Sequence, residues 1–63
     1  MNKPLKVKDV AELLDVSTDV IYSMVKQGKI PHFVVGNRLI RFQESTIEQW
    51  MNQQEQNNYQ PLY

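Results

Sequence analysis

Thr18, Asp19, Tyr22, Ser23, Lys26 and Gln27 share one arc of a helix when residues are turned about 100° apart. Hydroxyls, a phenol and an ammonium on one arc form no nucleophile–base pair. They can hydrogen-bond an external surface. Short polar side chains reach base edges of a nucleic acid, and Lys26 reaches a phosphate or a guanine. Asp19 is different, because phosphate repels a carboxylate. It either accepts from a cytosine or serves the positive end of the helix dipole, and the dipole role is preferred. A second polar set lies further on. Asn37 and Arg38 follow Gly36 where a hairpin tip is expected, with Arg41 on the strand behind it. A cationic tip can lie on a nucleic-acid backbone or enter a narrow minor groove. Lys29, between the two sets, is placed for a phosphate, and Lys6 and Lys8 are weaker candidates for flanking backbone. Each set has an ordinary alternative: a solvated helix face for the first, and edge-strand charges that resist aggregation for the arginines.

Other chemistries find no residues. His32 is the single histidine and there is no cysteine. A disulfide is excluded, and a structural zinc site lacks its ligands, since zinc takes about four of Cys/His type. His32 has no acid–base partner in sequence and reads as a surface or strand-edge residue. No phosphate-cradling glycine loop, metal-spaced cluster or nucleophile–base pair appears. The expectation is a protein that is not an enzyme and carries no cofactor. Seven basic residues balance seven acidic ones. Nucleic-acid-binding domains usually carry a basic excess, so placement must do what net charge does not.

These residues need elements to hold them. The chain has 63 residues, enough for one domain. Such a domain buries only about 60% of the surface its unfolded chain exposes. Val7, Val10, Ala11 and Leu14 recur at helical spacing and predict a helix over 7–14, with Lys6 a poor cap. Ser17 predicts the start of a second helix over 18–27, and Gly28 its left-handed end. Val20, Ile21, Met24 and Val25 form its expected core face. Three residues between the helices match the spacing of a helix-turn-helix. Two β-rich runs around Gly36–Asn37 predict a hairpin over 32–42. A two-residue turn would set Val35 opposite Arg38 and Phe33 opposite Ile40. Phe33, Val35, Ile40 and Phe42 would then cover the helices. A third helix over 44–53 carries Ile47, Trp50 and Met51 at i, i+3, i+4, which makes Trp50 core. Ser45 with Glu48 could begin it as a capping box. The preferred start is Gln43 as cap, with Phe42 stapled to Ile47. The fold class expected is mostly α with a β-hairpin (α+β), a winged helix-turn-helix in the order helix-helix-hairpin-helix. The folded domain is placed at 1–54 and a flexible polar tail at 55–63, where Tyr59, Leu62 and Tyr63 could dock on a partner.

At this point the residues resemble a family. Val7-Lys8-Asp9-Val10-Ala11-Glu12-Leu13-Leu14-Asp15-Val16-Ser17 is similar to the opening of the excisionase family, related to MerR-type DNA-binding domains. Val20-Ile21-Tyr22, Gly28-Lys29-Ile30-Pro31, Val35-Gly36-Asn37-Arg38 and Ile47-Glu48-Gln49-Trp50-Met51 continue the pattern over residues 5–52. No piece is specific alone; the ordered set is. The sequence departs from the family at Thr18 and Ser23, where arginine is frequent, at Asp15, where glycine is common, and at Lys6, where threonine is. The resemblance implies a factor that binds and bends double-stranded DNA. It would assist an integrase in excising a phage or mobile element, beside neighbouring copies of itself. A small transcription regulator of such genes is the nearest rival. A winged-helix adaptor that binds protein instead of DNA is the rival from another class. No apolar run approaches the ~20 residues of a membrane span, and a cytoplasmic location is expected.

Overall fold

The computed structural model describes residues 3–57, and five elements follow in the expected order. Helix α1 spans Val7–Leu14 and α2 spans Thr18–Lys26. Strands β1, Phe33–Val35, and β2, Leu39–Arg41, form an antiparallel hairpin. Helix α3 spans Glu44–Asn57. The fold is α+β, a helix-turn-helix with a wing.

Local chemistry explains the helix boundaries. Lys6 has no capping side chain, but the Asp9 carboxylate reaches back and accepts from the Lys6 backbone N–H at 2.8 Å. The acid in the first turn thus supplies what the cap position lacks. At the other end Asp15 takes a left-handed conformation, φ 55°. The Asp15 and Val16 N–H groups then donate to the carbonyls of Glu12 and Ala11. Helix α2 repeats this design. Ser17 Oγ accepts from Val20 N–H at 3.4 Å. Gly28, φ 67°, ends it, with Gly28 and Lys29 N–H donating to Val25 and Met24 carbonyls. Both ends are Schellman motifs, one on glycine and one on aspartate.

The core is small and lies where the three helices meet the wing's root. Val7, Val10, Ala11, Ile21, Ile30, Phe42 and Ile47 are buried, and Leu5, Leu14, Met24, Val25, Ile40, Trp50 and Met51 pack around them. Val20 departs from expectation. It is 42% exposed, because Ile21, Met24 and Val25 already fill the arc that α1 and α3 can cover. Ile30, by contrast, is a core residue that periodicity did not mark.

The hairpin register differs by one residue. Val35 pairs with Leu39, Val34 with Ile40 and Phe33 with Arg41. Gly36, Asn37 and Arg38 form a three-residue loop. A two-residue type I′ turn needs positive φ at both central positions, and only Gly36 adopts it. A one-residue slip reverses which side chains share a face. Val34 therefore shares a face with Ile40, and Phe33, Val34 and Val35 all stand exposed, so that β1 does not cover the helices. Phe33 turns beside the start of α3 instead, lining a shallow recess with Pro31, His32, Gln43 and Thr46. His32 Nδ1 donates to the Ile30 carbonyl at 2.9 Å.

Helix α3 begins as the staple requires. Gln43 carbonyl accepts from Ile47 N–H, Gln43 Oε1 accepts from Thr46 Oγ1, and Phe42 and Ile47 are both fully buried. The helix runs four residues past its expected end. Gln and Glu are good helix formers, so a polar run propagates once the core has nucleated it. The rest of the expected tail, 58–63 with Tyr59, Leu62 and Tyr63, lies outside the described residues. One contact was not foreseen. Leu5 and Phe42 exchange both backbone hydrogen bonds, at 2.8 and 2.9 Å, as an antiparallel bridge. The N-terminal arm is thus sewn to the end of β2.

Candidate nucleic-acid interface

Helix α2 presents the expected polar arc. Thr18, Asp19, Tyr22, Ser23 and Lys26 are all exposed. Its buried anchor is Ile21, with Met24 and Val25 behind it. Tyr22 is 50% exposed, so its ring stands clear of the core on the outer side. Ser23 Oγ already accepts from Gln27 Nε2 at 3.3 Å, which orders this hydroxyl while leaving its proton to donate. Asp19 lies in the first turn of α2 and Lys26 in the last, each at the end its charge favours.

Beside this arc runs an open groove of about 270 Å³, lined by Lys6, Val7, Lys8, Tyr22, Arg38, Leu39, Ile40 and Arg41. Its walls come from the start of α1, the middle of α2 and strand β2 with its loop. Four of the chain's seven basic residues line it, and none of its acidic ones. Zero net charge therefore conceals a strongly segregated surface. Cations of one sign lining a single groove add their fields there. Arg41 is half-buried and its Nη1 donates to the Ile40 carbonyl at 2.8 Å, whereas Arg38 stands free on the exposed loop.

The sequence-predicted residues thus divide. Tyr22, Arg38 and Arg41 meet in the groove. Thr18, Asp19, Ser23, Lys26, Lys29 and Asn37 are exposed but outside its walls. Lys6 and Lys8 are brought into it by the Leu5–Phe42 bridge. The signal for that bridge was weak: one leucine after a proline, on an arm without periodicity.

A helix-turn-helix model matches residues 4–55, which is most of the chain. The chain belongs to the helix-turn-helix domain family. No curated protein and no solved structure matches it. Membership points to DNA as the partner class of this helix-turn-helix domain. No helix among the described residues is long and apolar enough to cross a membrane.

Proposed function

We propose that this protein binds double-stranded DNA with α2 in the major groove and the β1–β2 wing on the neighbouring backbone or minor groove. The observation that carries the reading is the acid-free cationic groove beside the exposed arc of α2. Thr18, Tyr22, Ser23 and Lys26 face the base edges, with Asp19 at the helix start. Arg38 and Asn37 serve the wing tip, and Arg41 and Lys29 hold phosphates. With about four phosphates neutralised, log affinity falls with log salt at a slope near −3.6. Such binding is modest for one copy and gains from tandem sites.

The biological reading is an excisionase-type architectural factor. Copies bound side by side bend an attachment site, with the bend placed at flexible steps, and an integrase supplies the catalysis. Its place is the cytoplasm, on chromosomal or phage DNA. A small regulator of mobile-element promoters shares the same interface and differs in the site bound. Fluorescence anisotropy on a mixed duplex pool at two salt concentrations tests the shared part, with Arg38→Ala and Lys26→Ala beside the wild type. Binding that weakens with salt and in both variants supports it. No binding at low salt refutes it and turns the search to a protein partner, the role that zero net charge would suit.

A further inference from the structure

The Leu5–Phe42 bridge has an electrostatic cost. Lys6 and Arg41 adjoin the two bridged residues in the chain and line the same groove. Like charges gathered at one site repel each other. Neither cation is placed against an acid within the groove. The nearby Asp9 carboxylate is turned to the Lys6 backbone N–H, and Arg41 reaches only the Ile40 carbonyl. Lys8 and Tyr22 line the same space. An arrangement that brings cations together, fixes the neighbouring backbone by the two Leu5–Phe42 hydrogen bonds and leaves the space between them open is preorganised for an anion.

We infer that Lys6 and Arg41 form, across the arm–wing bridge, one seat for a single backbone phosphate of duplex DNA, completed by Lys8 and the Tyr22 hydroxyl. The inference rests on the proposed DNA reading and adds to it a third contact element, the start of α1. The seat positions the protein without reading sequence. It belongs to the strand on the wing side of α2, while Lys26 and Lys29 lie outside the groove. Because two cations share one phosphate, the seat counts once in the salt dependence.

The test measures salt slopes of duplex binding for Lys6→Gln, Arg41→Gln and the double variant, on two unrelated duplexes. Each single variant should lower the slope by about one. The double should lower it by about one again, not two, since the cycle is coupled through the shared phosphate. Lys6→Arg should restore the wild-type slope. At low salt Lys6→Gln should melt no lower than wild type, because it relieves the repulsion, while its DNA affinity falls. Lys6 is exposed, so this variant remains informative if Arg41→Gln does not fold. An unchanged slope in Lys6→Gln, or additive losses in the double, overturns the seat while the DNA reading stands. Failure of the wild type itself to bind refutes both.

Discussion

At the residue scale, two left-handed positions have different occupants. Asp15 and Gly28 end α1 and α2 through the same pair of hydrogen bonds, at φ 55° and 67°. A Cβ in this region costs free energy that glycine avoids, though aspartate tolerates it better than most. Asp15→Gly should therefore stabilise the fold by about 0.5 kcal/mol, after glycine's larger entropy loss is counted. Gly28→Ala should destabilise it by about 1 kcal/mol, although a Cβ there meets open space. Ser17→Ala should cost about 1 kcal/mol by removing the α2 cap. Thermal melts check all three, at about 4–8 °C per kcal/mol for so small a domain. Equal melting of Asp15→Gly and wild type would mean that the aspartate side chain compensates its own strain.

At the scale of elements, the wing is the piece whose sequence pattern misleads. The β-rich runs around Gly36–Asn37 identify two strands, and the facing residues depend on the turn. With Gly36 alone at positive φ, the loop lengthens, the register shifts by one residue and all of β1 stays exposed. Phe33, Val34, Val35 and Leu39 remain 39–53% exposed. Val35→Thr should thus change stability by no more than about 0.5 kcal/mol, the range of ordinary surface substitutions. A core-facing Val35, as a two-residue turn would place it, would lose well over 1 kcal/mol on the same change. Chemical denaturation separates the two registers. The arm is the converse case. Leu5→Pro removes the N–H that donates to the Phe42 carbonyl, and should loosen the start of α1 from the wing. A drop in both melting temperature and DNA affinity is the expected result.

At the scale of the whole molecule, stability rests on very few side chains. Val10, Ile21, Phe42 and Ile47 are the fully buried ones. A domain of this length has about 3–9 kcal/mol of total stability, and truncating one such residue costs about 2–5. Ile47→Ala should leave the chain largely unfolded at 37 °C, visible as lost helical circular dichroism. The charge distribution obeys a different logic. Seven positive and seven negative charges cancel in sum, yet four positive ones share a groove without an acid. A protein with zero net charge should therefore still bind polyanions at low salt. Glu48→Lys, on the exposed side of α3, should alter that binding less than Lys6→Gln does, though each changes charge, the former by twice as much.

The elements and their order were legible in the chain because their causes are local. Helical spacing from Val7 to Leu14, the Ser17 cap, the Gly28 stop and the Phe42–Ile47 staple each act within a few residues. The polar arc of α2 was legible for the same reason, since a helix's faces follow from its period alone. The register of the hairpin, the exposure of Val20 and the burial of Ile30 were not, because packing space and backbone angles decide them. The cationic groove was least legible. Lys6 and Arg41 are far apart in sequence, and the Leu5–Phe42 bridge brings them to one groove. Sequence determines what each segment can become. Which charges meet depends on contacts between distant segments, and these exist only once the core has closed.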